Sequence, residues 1–189
     1  MKAKEHIKIP MARIAVIIGK KGETKKKIEE LTQTSIEIDS KDGLVYIENI
    51  PDPENPLAVW KARDIIKAIG RGFSPEKALR LLDDETYLEI IDLTAIFGRN
   101  TNAIKRIKGR IIGEAGKTRR LIEELTENAL SVYGNTVSII GPLTNLRIAK
   151  KAVMMLIEGA SHSTVYQFLY KKRRELKKNR TNLWKIAPY

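Results

Sequence analysis

Apolar positions along the chain switch between two periods, and the switches come in the same order twice. Ser35-Ile36-Glu37-Ile38-Asp39 alternates in the manner of a half-buried strand, and Ala129-Leu130-Ser131-Val132-Tyr133 does so again. A turn follows each, Ser40-Lys41-Asp42-Gly43 and Gly134-Asn135, then a second strand, Leu44 to Glu48 and Thr136 to Ile140. The second turn is two residues shorter. Helical spacing then takes over. Ala58, Ala62, Ile65, Ile66 and Ile69 share one face of a helix introduced by Pro56; Ile148, Ala149, Ala152, Val153, Leu156 and Ile157 share one face of a helix introduced by Pro142. Glycines close both helices (Gly70 and Gly72, then Gly159), and one more helix trails each. Ser74-Pro75 opens the first trailing helix with a capping side chain and proline at its first position; the second starts near Ser161 or Ser163.

The duplication extends upstream. Glu5 to Ile9 and Thr86 to Leu93 are strand candidates, and a helix then runs into a Gly-x-x-Gly corner in each copy. The corners are Gly19-Lys20-Lys21-Gly22 and, 94 positions on, Gly113-Glu114-Ala115-Gly116. Each continues into a helical run, Glu23 to Thr32 and Lys117 to Thr126, sharing Ile-Glu-Glu-Leu-Thr in the same register. Each unit therefore predicts strand, helix, corner, helix, strand, strand, helix and a trailing helix. Two α+β domains account for the chain, 1–83 and 84–189, joined near Leu82 to Glu85.

A glycine corner between helices suits one kind of ligand. Without a Cβ, the backbone takes conformations closed to other residues and a partner approaches closely. The next helix presents free N–H groups and its positive end to whatever fills the gap, which fits a sugar–phosphate backbone. Around the first corner lie Arg13, Lys20, Lys21, Lys25 and Lys26; around the second lie Lys105, Arg106, Lys108, Arg110, Lys117, Arg119 and Arg120. Ile36 and Ile38, with Leu130 and Val132, are expected to form apolar floors for bases beside Gly19, Gly22, Ile112, Gly113, Glu114, Ala115 and Gly116. Gly116-Lys117-Thr118 resembles half of a phosphate-loop motif, but Ile111 stands where that motif needs its first glycine. The repeated acids Glu29-Glu30 and Glu123-Glu124 are expected on solvated helix faces beside Lys or Arg. Trp60 and Trp184 are expected in packing, and His162 at a helix start.

Charge sharpens the picture. Thirty-five Lys+Arg against 23 Asp+Glu leave +12, focused on both corners and on Lys171 to Arg180, where seven basic residues face one acid, Glu175. That is the footprint of a phosphate-backbone binder, with the tail as an added phosphate grip or a solvated helix end. With no cysteine and only two distant histidines, neither disulfides nor a metal site is expected, and no cofactor is implied. No window approaches the roughly 18 apolar residues of a membrane span, so a cytoplasmic protein without membrane partners is expected. No catalytic constellation is apparent, which points away from an enzyme.

Ile17-Ile18-Gly19-x-x-Gly22 through Ile38, and Ile111-Ile112-Gly113-x-x-Gly116 through Val132, resemble KH domains. The element order suits the eukaryotic type (type I), which implies a three-stranded antiparallel sheet packed against three helices in each unit. The chain as a whole resembles the archaeal members of the partner-of-Nob family of small-subunit assembly factors, on Arg110-Ile111-Ile112-Gly113-Glu114-Ala115-Gly116-Lys117-Thr118-Arg119 and the basic ending. The resemblance implies single-stranded RNA as ligand, in the 3′ region of small-subunit rRNA, and a non-catalytic role beside a Nob-type endonuclease that matures it. A translation-associated adaptor, with one KH unit docking a protein such as an initiation factor subunit, is the alternative. For eukaryotic relatives the resemblance implies a degenerate first corner and a second that carries most RNA contact. Here the first is intact and the more basic, whereas Glu114 sits in the second. Local charge favours the first corner and family analogy the second, which we take for the selective rRNA contact.

Overall fold

The computed structural model describes residues 4–50 and 57–184, with side chains through residue 178. Pro56 and the side chain of Trp184 lie outside the described residues. The first unit runs β1 (Lys4–Lys8), α1 (Met11–Ile18), α2 (Glu23–Thr32), β2 (Thr34–Asp39), β3 (Leu44–Asn49), α3 (Ala58–Gly70) and a short trailing α4 (Pro75–Ala78), which tightens into a 3₁₀ turn over Leu79–Leu82. The second runs β4 (Thr86–Asp92), α5 (Leu93–Phe97), α6 (Thr101–Ile112), α7 (Lys117–Thr126), β5 (Ala129–Tyr133), β6 (Thr136–Pro142), α8 (Leu143–Ile157) and α9 (His162–Trp184). Both sheets are antiparallel, in the orders β1-β3-β2 and β4-β6-β5, so β2 and β5 are edge strands. This is the type I KH arrangement, twice.

Two local differences separate the copies. Leu93, expected to end a strand, instead begins α5, because the Asp92 carboxylate accepts from Thr94 N–H at 2.8 Å and caps it. The helix entering the second corner is also four residues longer, 12 against 8.

Alternation on the strands sorts residues between layers. Ile36, Val45 and Ile47 face the first set of helices, with Ile17, Ile28, Ile65, Ile66 and Ile69. Val137, Ile139 and Leu130 do the same in the second, with Ile111, Ile122, Val153 and Leu156. The opposite faces of the two sheets meet different fates. In the second sheet, Ala129 and Ile140 are buried in the first unit's core cluster, beside Ala78, Leu81 and Leu82. The first unit's trailing segment thus covers the second sheet. In the first sheet the opposite face carries Lys4 and His6 on β1, Tyr46 and Glu48 on β3, and Ser35 and Glu37 on β2, a mixed polar surface. Trp60, expected in packing, is 49% exposed on α3.

The joint between the units is tight. Ser131 Oγ donates to the Arg71 carbonyl at 2.9 Å. Gly72 has φ +95°, and a Cβ there would sit 2.7 Å from Tyr133 Cβ. The Arg13 guanidinium lies 5.6 Å from the Tyr133 ring centre. Lys77 pairs with Glu123 at 3.3 Å, and Arg80 donates to the Glu127 carbonyl at 3.3 Å. Gly72→Val forces a branched side chain into the left-handed region and against Tyr133. We expect a loss of about 2–4 kcal/mol, read as a lower urea midpoint; an unchanged midpoint would show that the joint is not this close.

Candidate nucleic-acid interface

The two corners are built alike down to their dihedrals. Gly19 (φ +73°, ψ −179°) breaks α1, and Lys21 (φ +51°) and Gly22 (φ +81°) then turn in the left-handed region before α2 begins. Gly113 (φ +73°, ψ 174°), Ala115 (φ +47°) and Gly116 (φ +76°) do the same before α7. The two glycines of each corner serve different needs. A Cβ on Gly19 would overlap the Thr24 hydroxyl and sit 2.8 Å from Thr24 N; on Gly113 it would meet Thr118 in the same way. At Gly22 and Gly116 a Cβ would find nothing within 4 Å. The first glycine is required by packing and the second by backbone conformation, with its outer side open to an approaching ligand.

No side chain caps α2 or α7. Within the corners, Gly22 N–H reaches the Gly19 carbonyl at 3.4 Å and Gly116 N–H the Gly113 carbonyl at 3.1 Å. The first N–H of each helix is also engaged, Glu23 with the Lys20 carbonyl and Lys117 with the Glu114 carbonyl. No side chain caps the rest of either first turn, and the positive dipole end of each helix lies at its corner, where an anion is stabilised.

The basic residues divide into those free to meet such an anion and those already engaged. Lys20, Lys21 and Lys26 at the first corner, and Lys105 and Lys117 at the second, are exposed, and Lys108 is half-buried. None of these six has a hydrogen-bond or ion-pair partner among the described residues. Lys25 and Arg119, equivalent positions, pair with Glu29 at 3.7 Å and Glu123 at 3.9 Å. Arg120 turns back to donate to the Ala115 carbonyl at 3.0 Å, placing a cation on the second corner next to Glu114.

Two arginines expected at the interface are structural instead. Arg13 donates through Nε to the Ile69 carbonyl at 2.8 Å and through Nη2 to the Phe73 carbonyl at 2.6 Å, so it closes the end of α3 and stacks on Tyr133. Arg110 donates through Nη2 to the Ala160 carbonyl at 2.5 Å, and its own carbonyl meets His162 Nε2 at 2.9 Å. His162 opens α9, so this pair fixes the start of that helix against α6. The expected floors also shrink. Ile36 and Leu130 are 1% and 3% exposed and belong to the two cores, leaving half-buried Ile38 and Val132, with Ile18 and Ile112, as the apolar positions that reach the surface.

Sequence reasoning missed how the corners are held. Glu29 and Glu123 are half-buried, and each carboxylate accepts the first core N–H of the edge strand: Ile36 at 2.7 Å and Leu130 at 2.9 Å. Each tethers the helix after its corner to the strand beside it. Thr32 and Thr126 donate to the Ile28 and Ile122 carbonyls at 2.6 and 2.7 Å. The repeated Ile-Glu-Glu-Leu-Thr was the available signal. The second corner has a further brace, because the Thr118 and Tyr166 hydroxyls share a hydrogen bond of 2.8 Å. Arg173 of α9 lies 3.9 Å from Glu124, so α9 runs parallel to α7 and its basic end leaves at the end of α7 away from the corner. There Lys172 pairs with Glu175 at 2.6 Å, and this hydrogen bond holds the Glu175 carboxyl below its usual pKa. Among the described residues no helix is long and apolar enough to cross a membrane.

Comparison with known proteins agrees with this geometry. A family model described as eukaryotic type KH-domain (KH-domain type I), for the second domain of PNO1 proteins, matches residues 87–174; a KH domain model matches residues 4–68. The KH domain-containing protein MJ0443 of Methanocaldococcus jannaschii is 52% identical over 184 residues, covering 97% of this chain and 80% of that protein. The pre-rRNA-processing protein pno1 of Schizosaccharomyces pombe is 30% identical over 132 residues, covering 69% of this chain and 55% of its own length. Among solved structures, a chain of the a/eIF2alpha–aDim2p–rRNA complex from Pyrococcus horikoshii is 53% identical, covers 92% of this chain and 96% of its own, and superposes with a TM-score of 0.87.

The different needs of the two glycines can be measured. Gly113→Ala meets both Thr118 and a left-handed φ and is expected to cost about 2–4 kcal/mol, against about 1–2 kcal/mol for Gly116→Ala, which meets only the latter. Equal losses in urea unfolding would show that Thr118 does not set the first position.

Proposed function

The chain belongs to the KH-domain family, as a tandem type I KH relative of the PNO1 proteins, and we propose that it binds single-stranded RNA in the 3′ region of small-subunit rRNA. In this reading it assists pre-rRNA maturation as a non-catalytic, cytoplasmic adaptor beside a Nob-type endonuclease. The first domain runs through residue 83 and the second begins at 84. The observation that carries the reading is the pair of open corners with matching dihedrals, each leading into an uncapped helix amid unpaired lysines. A KH corner of this kind clamps about four backbone nucleotides. The names of the fission yeast relative and of the Pyrococcus complex support pre-rRNA as the ligand.

We assign the selective contact to the second corner, through Lys105, Lys108, Lys117, Arg119 and Arg120 with Val132 as floor. Its corner is braced through Tyr166, and Arg120 offsets Glu114 in place. The first corner, with Lys20, Lys21, Lys25, Lys26 and Ile38, then serves a second RNA stretch. One observation favours an added role for the first domain as a protein dock. Among the described residues nothing covers its outer sheet face, whereas the same face of the second is filled by the first unit's trailing segment. An initiation factor subunit is a fitting partner, since the similar Pyrococcus complex contains one.

Gly22 and Gly116 face open space, so aspartate at either adds a negative charge where phosphate would lie. Against an oligoribonucleotide from the 3′ end of small-subunit rRNA, Gly116→Asp is expected to lower affinity tenfold or more, a loss of about 1.4 kcal/mol, and Gly22→Asp less. A larger loss from Gly22→Asp would reverse the ranking, and no loss from either would remove the corners from RNA binding. In extract, the intact protein should retain rRNA precursor and the Nob-type nuclease; recovery of translation factors alone would favour the adaptor reading.

A further inference from the structure

At the end of α1 away from the first corner the surface opens into a cleft of about 350 Å³. Ile9, Pro10 and Met11 form its apolar floor, and Met11 is 53% exposed there. Lys8, Lys67 and Arg71 stand on its rim, from β1, the last turn of α3 and the residue after it. None of these three side chains has a hydrogen-bond or ion-pair partner among the described residues. One carboxylate, Asp42, shares the rim. The start of α1 carries no capping side chain and no acid in its first turn, so its positive end adds to the field. Three cations against one acid, around an exposed thioether, repel one another unless an anion joins them.

The position of the cleft links it to the other half of the molecule. The Arg71 carbonyl accepts from Ser131 Oγ, and Gly72 packs against Tyr133, both on β5. On its other side β5 is tied to α7 through Glu123 and Leu130 N–H. Arg71 thus places one rim of the cleft beside the Tyr133 end of β5, the strand that flanks the second corner.

We propose that this cleft is an additional RNA subsite, built by the first domain for the strand gripped by the second. Lys8, Lys67 and Arg71 receive successive backbone phosphates and the Met11 floor receives a base. The inference rests on the reading of the second corner as an RNA clamp. It adds that the joint between the domains serves to bring this cleft alongside that clamp.

Length dependence separates the two claims. Fluorescence anisotropy would be read with 3′-end rRNA oligonucleotides of about four and about twelve nucleotides, one clamp length and three. The combined variant Lys8→Gln, Lys67→Gln, Arg71→Gln should bind the short one like the intact protein and the long one about tenfold more weakly. Its salt slope on the long oligonucleotide should fall by about 2, at roughly 0.7 for each single-strand phosphate that the removed cations no longer neutralise. Met11→Glu, at an exposed position, should weaken only the long one and provides an independent arm. Unchanged binding of the long oligonucleotide by both variants would overturn the subsite, as would equal losses at both lengths. Gly116→Asp should weaken both lengths; if it weakened neither, the clamp reading itself would fail, whatever the cleft variants did.

Discussion

Each half of this molecule depends on a missing atom. The Thr24 and Thr118 side chains fill the space that a Cβ on Gly19 or Gly113 would occupy, so the helix entering the corner is brought within contact of the first turn of the next. Because that approach is close, the chain must reverse in three residues, and Lys21 and Ala115 are held in the left-handed region without being glycine. Such residues cost of the order of 1 kcal/mol each and persist where surrounding packing over-determines them. The result is a helix whose first turn is uncapped and pointed outward. A capping Ser or Asp would stabilise that turn, but its side chain would occupy the position offered to a ligand.

The duplication kept the devices that hold this arrangement and released the rest. The carboxylate tethers of Glu29 and Glu123, the threonine back-bonds at 32 and 126 and the left-handed exits at Gln33 and Glu127 are all repeated. What diverged is what each unit leans on. The second unit rests its outer sheet face on the first and braces its corner against α9, whereas Lys20 and Lys21 leave the first corner with exposed charge. Repeating the geometry while varying support and charge is a physical route from two equal corners to two unequal ones.

Most of the fold was legible in the sequence because its periods are clean. The runs Glu23 to Thr32, Lys117 to Thr126 and Ala129 to Tyr133 are elements with those bounds. The joint was not legible, because Ser131, Gly72 and Tyr133 are unremarkable until β5 and the end of α3 are brought together. For the same reason Arg13 and Arg110 were misplaced. Charge counting treats every arginine near a corner as facing solvent, yet the carbonyls of Ile69, Phe73 and Ala160 lie within their reach. Ile36 and Leu130 were misplaced by the alternation itself. It puts them on the same face as Ile38 and Val132 but does not say that the helix covers only the first residue of each pair. Glu29 and Glu123 hid behind a sound rule, since most glutamates at helical spacing from lysine are solvated, and these also serve a backbone N–H.

Charge, read on the folded chain, argues for separate tasks. Of the basic residues around the second corner, Arg110 is spent on α9, Arg119 is shared with Glu123, and Arg120 is folded onto the corner itself. What remains free is mostly on α6, along the approach to the corner. At the first corner the free lysines sit at the corner and on the first turn of α2, where they provide strong and unselective attraction. Cations fixed by neighbours, such as Arg119 and Arg120, give up some attraction and hold a backbone in register, while discrimination between strands falls to the apolar positions that bases would meet. On that ground we propose the more basic corner as the less selective one, so that net charge near a glycine corner would not by itself rank the two.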